Sequence, residues 1–287
     1  MSSKITILGC GYLGSALAKV CLGKGWQVAA LTRNPKTASA LRTLGVSKVI
    51  ESQIQNDDWH GQLDANQDFV VNCVGASSSD PDGYISSYVE GQDSVMKWLE
   101  QGQVGSFIFT SSISVYPQTE KRLVDETASC LGVSEKGGLL LAAEQKCFPP
   151  VPSITRSFVL RLAGLYGPGR HLLVDRIKSG TTIKGNEDRI LNLLHRDDAV
   201  DAILTCLSAP AQNIGRIYNV SDGNHPTRGQ VVTWLAEKLG VPSPGFDGNG
   251  LANDSNRKIS NNRILDELFW SPSYSNYQMG YKSILEF

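Results

Sequence analysis

A short apolar segment followed directly by three spaced glycines is the feature that most constrains the fold of this chain. Residues 4–8, Lys-Ile-Thr-Ile-Leu, are mostly β-branched or apolar, which is typical of a buried strand. Gly9, Gly11 and Gly14 follow, and a helical pattern begins among them. In this context the first glycine permits a tight turn, the second lets backbone approach a pyrophosphate, and the third lets helix and strand pack closely. The sequence therefore predicts a dinucleotide site, at which the helix dipole favours an anion.

The overall composition is that of an ordinary globular protein without a bias toward polyanions. The chain has 287 residues, 41% of them hydrophobic, and a formal net charge of -1. It has no basic stripe interleaved with aromatic residues, so no nucleic-acid partner is expected. No apolar run is long enough to span a bilayer, so no membrane association is expected. The first strand begins at Lys4 and leaves no room for a signal peptide, which predicts a cytoplasmic protein.

The cysteines do not follow the spacing of metal or redox motifs. None forms a Cys-x-x-Cys pair, and none has a histidine partner at metal-binding spacing. We expect small core residues in a reducing compartment, and no metal site. They are Cys10, Cys21, Cys73, Cys130, Cys147 and Cys206.

Strand-like apolar segments alternate with helical segments as far as residue 162. This alternation predicts an α/β fold with a doubly wound parallel sheet. After the first strand, further strands are predicted at 26–32, 47–50, 68–76, 107–110, 157–162 and 216–220.

The local amino-acid composition changes after the sixth predicted strand. Residues 164–170 are rich in glycine and proline, which predicts a loop. We expect two domains on this basis. The dinucleotide-binding domain comprises 1–163 plus 191–220, and a smaller C-terminal substrate lobe comprises 164–190 plus 221–287.

The residues at the end of the second strand predict the choice of dinucleotide. An NAD-selective fold places an acid about twenty residues beyond the glycines, whereas an NADP-selective fold places a cation there. This chain has Thr32 and Arg33 at that point and no acid nearby. A guanidinium can donate two hydrogen bonds to a phosphate. We favour NADP as the cofactor, with NAD as the alternative, over an arginine that is merely solvated.

Five motifs, in order from residue 4 to about residue 240, resemble the extended short-chain dehydrogenase/reductase family, which includes the NAD(P)-dependent epimerases and dehydratases. They are Gly-Cys-Gly-Tyr-Leu-Gly at 9–14, Thr-Ser-Ser-Ile-Ser-Val-Tyr at 110–116, the 161–169 stretch ending Leu-Tyr-Gly-Pro-Gly, His-Arg-Asp-Asp at 195–198, and Tyr-Asn-Val-Ser-Asp at 218–222.

The resemblance implies the Rossmann fold, with the cofactor crossing the point where the strand order reverses. It also implies which positions contact the cofactor. These are Gly9, Gly11, Tyr12, Leu13, Gly14, Thr32, Arg33, Val74, Gly75, Ala76, Ser111 and Leu165.

The catalytic machinery of that family is incomplete in this chain. A family serine bonds the substrate oxygen, a tyrosine transfers the proton, and a lysine four residues later lowers the pKa of that tyrosine. Ser112 matches the serine, but Lys136 occupies the tyrosine position and Leu140 the lysine position. No tyrosine lies between Tyr116 and Tyr166. We therefore expect an atypical branch that lacks the Tyr-x-x-x-Lys pair.

Two further departures concern the substrate. A family asparagine that helps to hold a substrate diphosphate is matched by Gly164, and a common family arginine is matched by Leu191. Both changes make a nucleotide-sugar substrate less expected than family membership alone implies.

Four side chains remain as catalytic candidates, each with a structural alternative. Ser112 either binds substrate or caps the turn after a strand. Lys136 either replaces the proton donor or is a solvated residue at a helix start. His195 either titrates near neutrality or has a structural role. Tyr166 either supplies a phenol near the nicotinamide or belongs to the loop. Tyr84 and Tyr116 are two further phenols, and the spacing singles out none of the three.

Two functions are compatible with these residues. The first is an NADP-dependent oxidoreductase that moves hydride between the nicotinamide and a small carbonyl or alcohol substrate. The second is a catalytically silent NAD(P)-binding sensor or scaffold. The glycine motif supports both, and a site that retains Ser112 can still orient hydride transfer, which favours the enzyme. A homo-oligomer is compatible with either function.

Overall fold

The computed structural model describes residues 2–148, 151–210, 215–249 and 255–285. The chain divides into two compact units. The first unit comprises Met1–Val115, Val133–Arg161 and Val200–Tyr218. The second unit comprises Tyr116–Gly132, Leu162–Ala199 and Asn219–Phe287.

The β-strands follow one another in chain order. They are β1 (Lys4–Leu8), β2 (Gln27–Thr32), β3 (Lys48–Glu51), β4 (Gln67–Asn72), β5 (Val104–Ser112), β6 (Arg122–Val124), β7 (Ile154–Leu162), β8 (Gly164–Tyr166), β9 (Leu193–His195), β10 (Gly215–Val220) and β11 (Arg257–Ile259).

The α-helices are interspersed with these strands. They are α1 (Tyr12–Gly23), α2 (Pro35–Leu44), α3 (Pro81–Tyr84), α4 (Gly91–Leu99), α5 (Glu135–Gln145), α6 (Leu172–Lys178), α7 (Arg196–Leu207), α8 (Arg228–Leu239), α9 (Asn262–Leu268) and α10 (Tyr277–Lys282). Among the described residues, no helix has both the length and the apolar character that a membrane crossing requires.

A parallel sheet organises the fold. Within the described residues it contains seven strands in the order β10-β7-β5-β4-β1-β2-β3. β1 pairs in parallel with β2 on one side and with β4 on the other. The chain runs from β1 to the β3 edge and then returns to β4, so the order reverses between β1 and β4. The predicted doubly wound parallel sheet is confirmed.

The sheet strands are apolar because parallel strands are covered on both faces. Ile5, Ile7 and Leu8 of β1 are fully buried, as are Val70 and Val71 of β4. Four of the six cysteines are buried in the core, as expected, and the other two, Cys73 and Cys130, are only partly buried. Burial raises the pKa of the Cys10 and Cys147 thiols, because it disfavours the charged thiolate.

The second unit contains one element that the local sequence conceals. Residues 164–170 were expected to form a loop, but Gly164–Tyr166 form β8 and pair in parallel with β9. The glycines and the proline dominate the local turn signal, whereas the pairing is supplied by residues almost thirty positions later. Tertiary pairing therefore overrides local propensity here.

The fourth strand is shorter than predicted. Residues 68–76 were expected to be extended, but β4 ends at Asn72. The Asn72 Oδ1 atom accepts a hydrogen bond of 3.1 Å from the Val74 amide, which turns the chain away from the sheet. Val74, Gly75 and Ala76 therefore lie in the loop that follows β4.

A buried ion pair connects α5 to the sheet within the first unit. The Arg161 Nη2 atom of β7 lies 2.6 Å from the Glu144 Oε2 atom of α5, and both side chains are buried. The Ser111 hydroxyl of β5 donates a further hydrogen bond of 2.5 Å to Glu144 Oε1. Because an unpaired polar group is costly in such a buried network, the loss of Ser111, Glu144 or Arg161 would destabilise the other two.

We predict that Arg161→Met lowers the free energy of unfolding by about 3–5 kcal/mol, because it leaves the Glu144 carboxylate buried without its cation. Arg42→Met is the matched control, since Arg42 pairs with Glu51 at 2.7 Å on the exposed surface. That change should cost about 1 kcal/mol or less. Urea denaturation followed by circular dichroism measures both, and equal losses would contradict the assignment.

Candidate active site

The glycine turn after β1 has the geometry that its sequence predicts. Gly9 has a φ of +78°, in the left-handed region that favours glycine. A Cβ atom on Gly9 would lie 2.6 Å from the Val74 amide nitrogen, and one on Gly14 would lie 2.9 Å from the Gly9 carbonyl oxygen. The first glycine thus permits the turn and the contact with the loop after β4. Gly14 permits the close packing of α1.

Gly11 differs from its two neighbours because the space beside it is open. A Cβ atom there would meet only the Gly9 carbonyl oxygen, at 4.0 Å. Gly11 is the N-cap of α1, with no side-chain cap, and the first turn carries no acid. Tyr12 and Leu13 are the first two helical residues. The positive end of the helix dipole is therefore neither capped nor neutralised by its own side chains, and it fits a pyrophosphate.

The predicted nucleotide-selecting residues lie at the end of β2. Thr32 is buried, and its Oγ1 atom accepts a hydrogen bond of 3.3 Å from the Asn34 amide. Arg33 is exposed, and its Nη2 atom donates a hydrogen bond of 3.3 Å to the Ser77 carbonyl oxygen. Within the part of the chain that is described, the guanidinium forms no salt bridge. It is thus a cation beside the loop after β4, with capacity to bind an anion.

A π-helical turn that sequence reasoning missed supports the loop after β4. The turn spans Ile85–Glu90. Its Ser87 hydroxyl accepts a hydrogen bond of 2.9 Å from the Ser77 amide, and its Tyr88 hydroxyl accepts one of 3.1 Å from the Ala76 amide. Such turns occur often at functional sites. The serines and tyrosines of this segment were visible in the sequence, but the change in helical period was not.

Ser111 and Ser112 point in different directions because side chains alternate along a strand. Ser111 is buried and donates to Glu144, as described above. Ser112 is partly exposed, and its Oγ atom accepts a hydrogen bond of 3.1 Å from the Ser114 amide. This is the turn-capping bond that was considered as the structural alternative. It uses a lone pair of the hydroxyl and leaves the proton available for donation.

Lys136 and Leu140 lie one turn apart on α5. The helix begins after Ser134, whose side chain accepts a hydrogen bond of 3.3 Å from the Gly137 amide. Lys136 is half-buried, and its Nζ atom lies 5.7 Å from the ring centroid of Tyr84. Leu140 is only 2% exposed and belongs to the core. Lys136 therefore lies at the helix start, partly shielded from solvent and near an aromatic ring.

His195 and Tyr166 are interior residues of the second unit. The His195 Nδ1 atom accepts a hydrogen bond of 3.2 Å from the Asp197 amide, and burial lowers the pKa of the imidazole. Tyr166 is 4% exposed, and its hydroxyl contacts the backbone at Gly280, where any Cβ would collide with it. Burial also raises the pKa of Tyr166. These surroundings are typical of structural roles.

Leu165 is partly buried and lies beside Tyr166 in β8, where it pairs with Leu194. Among the described residues, no cluster of histidine, cysteine, aspartate or glutamate has the composition of a metal site.

A buried carboxyl group lies in the same unit as His195 and Tyr166. Asp222 accepts a hydrogen bond of 3.0 Å from the Asn224 amide at one oxygen. Within the described residues, its other oxygen, the Tyr166 hydroxyl and His195 Nε2 have no hydrogen-bond partner. Burial raises the pKa of Asp222 to about 8, and the charge of Asp198 adds to the effect. A neutral carboxyl therefore suits this interior.

The comparisons with known proteins identify the family of this chain. Residues 5–221 match the model of the NAD dependent epimerase/dehydratase family. The chain belongs to this family. It is also 32% identical over 278 residues to Protein YeeZ of Escherichia coli (strain K12), a match that covers 94% of this chain and 96% of that protein.

Solved structures are similar over nearly the whole chain. A functionally unknown conserved protein from Silicibacter pomeroyi DSS superimposes with a TM-score of 0.80 at 23% identity, covering 99% of this chain and 98% of that one. The UDP-glucuronic acid 4-epimerase from Bacillus cereus, solved with UDP-glucuronic acid and NAD, gives a TM-score of 0.83 at 18% identity, with coverage of 97% and 96%. At these identities the similarity shows the fold.

We predict that Asp222→Asn stabilises the protein in a pH-dependent way. The usual pKa of this carboxyl is 3.8 and the folded value is about 8, so its contribution to stability is full below pH 3.8 and is lost as the pH rises toward 8. Asparagine does not titrate. The gain in the free energy of unfolding should therefore be small at pH 4 and about 1–3 kcal/mol at pH 8.5.

Urea denaturation at the two pH values measures this difference. Asp266→Asn is the control, because Asp266 lies exposed on α9 of the same unit. It should give the same small effect at both pH values. A gain from Asp222→Asn that does not change with pH would contradict the prediction.

Proposed function

We propose that this chain is an NADP-dependent oxidoreductase that interconverts a small carbonyl compound and the corresponding alcohol. The observation that carries the proposal is the open space at Gly11, in front of an uncapped helix start that has no acid in its first turn. Membership of a family of NAD-dependent epimerases and dehydratases supports a dinucleotide in that space. When bound, the nicotinamide would supply or accept the hydride.

The preference for NADP rests on Arg33. Its guanidinium follows β2 directly, and its hydrogen bond to the Ser77 carbonyl oxygen, at 3.3 Å, is long enough to be exchanged readily for a phosphate oxygen. Thr32 precedes it, and no acidic residue lies between it and the end of α2. A 2′-phosphate would therefore meet a cation where an acid would select the free ribose hydroxyl.

Ser112 is the residue of this chain that we assign to the substrate oxygen. Its hydroxyl proton is available, since the Ser114 amide occupies only a lone pair. Gly164 replaces a family asparagine that helps to hold a substrate diphosphate, and Leu191 replaces an arginine that is common in the family. Both changes support a small substrate. Tyr-x-x-x-Lys is replaced by Lys136 and Leu140, which supports the atypical branch.

We predict that Arg33→Asp weakens NADP binding by about 1.5–3 kcal/mol, the scale of a hydrogen bond to a charged group, and weakens NAD binding much less. Arg42→Asp makes the same change of charge on α2, but its partner is Glu51, and it should leave both affinities unaltered. Isothermal titration calorimetry with each nucleotide measures the effect. Equal affinities of the unaltered protein for NAD and NADP would show that Arg33 does not select the cofactor.

Turnover tests the proposed activity. NADPH oxidation should be observed at 340 nm with members of a panel of small aldehydes and ketones. Gly11→Val should lower both nucleotide affinity and turnover by about tenfold or more, the effect of losing 1.4 kcal/mol, because the isopropyl group fills the pyrophosphate space. Gly23→Val places the same side chain in open space at the other end of α1 and should change neither.

The outcomes separate the two candidate functions. Tight NADP binding without turnover of any carbonyl would favour the silent sensor or scaffold. Ordinary rates on a sugar nucleotide would overturn the assignment of a small substrate. No binding at millimolar nucleotide would remove the premise that Gly9, Gly11 and Gly14 hold a pyrophosphate.

A further inference from the structure

The first unit brings a phenol and an ammonium group together from distant parts of the chain. Tyr84 ends α3 and Lys136 lies in the first turn of α5. The Lys136 Nζ atom is 5.7 Å from the centroid of the Tyr84 ring, which is within the range of a cation–π interaction. Both side chains are half-buried. Among the described residues, neither the hydroxyl nor the ammonium group has a hydrogen-bond or salt-bridge partner.

Tyr84 is connected to the edge of the sheet where the glycine turn lies. The carbonyl oxygen of Gly83 accepts a hydrogen bond of 3.3 Å from the Ser77 amide in the loop after β4. That loop in turn contacts the glycine turn, where a Cβ on Gly9 would lie 2.6 Å from the Val74 nitrogen. Tyr84 therefore comes directly after a residue, Gly83, that is hydrogen-bonded to the loop after β4, and this loop packs on the glycine turn.

Lys136 lies beside a residue that packs on the turn after β5, close to Ser112 in sequence. The residue after it, Gly137, packs so closely on the turn that follows β5 that a Cβ there would lie 3.2 Å from the Ser114 carbonyl oxygen. Ser114 is the residue whose amide bonds the Ser112 hydroxyl. The ends of β4 and β5 are adjacent in the sheet. Tyr84, Lys136 and Ser112 thus belong to segments that pack where these two strands end.

The charge of the Lys136 ammonium group also acts on the carboxylate of Asp80. The pKa of Asp80 is lowered first by the hydrogen bond from the Gly83 amide and then by that from the Ser78 hydroxyl, and the charge of Lys136 also lowers it. Lys136 is therefore near enough to Asp80, the N-cap of α3, for its charge to act on that carboxylate, and it also lies near the Tyr84 ring.

Three other tyrosines, at positions 88, 116 and 166, are either buried or have a hydroxyl that is already hydrogen-bonded. Tyr116 is buried, and its hydroxyl donates a hydrogen bond of 2.8 Å to Asn219 Oδ1. Tyr166 is buried against Gly280 in the core of the second unit. Tyr88 holds the Ala76 amide. Tyr84 alone of these four is partly exposed and has an unengaged hydroxyl in the described chain.

We propose that Tyr84 is the catalytic proton donor and that Lys136 is the cation that positions and stabilises it. This inference rests on the proposed oxidoreductase function. The reduced nicotinamide would supply hydride, with its electron pair, to the carbonyl carbon. The Tyr84 O–H bond breaks, and its proton goes to the carbonyl oxygen, which uses the former π pair to form the new O–H bond. The Lys136 charge stabilises the resulting phenolate, which regains a proton from water.

The first experiment requires no turnover. The chain is labelled with 3-fluorotyrosine, and the fluorine resonance of Tyr84 is assigned with Tyr84→Phe. Lys136→Met should shift this resonance without any ligand, whereas Lys146→Met, which removes an α5-flanking lysine paired with Asp93, should not. Saturation with NADP should shift it, but adenosine 2′,5′-bisphosphate, which lacks the nicotinamide half, should not.

The second experiment measures NADPH-dependent reduction of the carbonyl that the panel identifies. Tyr84→Phe should lower kcat by about 10²–10⁴-fold, the usual contribution of general acid–base catalysis, while the affinity for NADP changes less than about twofold. Lys136→Met should lower kcat by about tenfold or more, and Lys136→Arg, which keeps the charge, should restore most of it. Lys146→Met should retain the rate of the unaltered chain.

These results distinguish the failure of each idea. NADP binding by calorimetry without a shift of the Tyr84 resonance, or an unchanged kcat in Tyr84→Phe, would overturn the role of Tyr84 and leave the proposed function intact. Equal rates for the methionine and unaltered forms at position 136 would overturn the role of Lys136. No binding of NADP would overturn the proposed function and the inference together.

Discussion

The contact between the turn after β1 and the loop after β4 is the constraint on which the first unit depends. Both segments leave the sheet where the strand order reverses, and they approach so closely that any side chain on Gly9 would collide with Val74. Gly14 then lets α1 pack against that turn, which places the helix start beside Gly11. The anion site that we propose would thus depend on close packing and the backbone, without an acidic side chain in the first helical turn.

The buried ion pair of Glu144 and Arg161 fixes a second part of the first unit, the packing of α5 on the sheet. It holds α5 against β7, and Ser111 of β5 bonds the same carboxylate. Because side chains alternate along β5, burying Ser111 turns Ser112 toward the partly exposed edge. The ion pair costs desolvation, so its contribution is to define position rather than to add stability over an apolar core. Because the ion pair holds α5 against β7, it also fixes the backbone position of Lys136 at the start of that helix.

Local signals in the sequence predict the parts of this structure that are made locally. The glycine spacing, the apolar run of β1 and the boundary of α8, with a capping box at Thr227 and a left-handed Gly240, are all visible in consecutive residues. The pairing of β8 with β9 and the contact of Tyr84 with Lys136 join residues about thirty and about fifty positions apart. No periodicity or propensity encodes such contacts, because they follow from how the elements pack.

The resemblance places Leu140 at the family's lysine position, and the burial of this leucine is consistent with our proposal of a proton donor on another segment. A lysine there would need a partner or a cofactor to offset its burial, whereas leucine contributes apolar surface to α5 at a position that is 2% exposed. Moving the cation one turn toward the helix start, to Lys136, keeps it half-buried and close to water. The phenol that meets it must then come from a neighbouring helix. Tyr84 meets this condition because the loop after β4 and the start of α5 both pack along the edge that carries the glycine turn and Ser112.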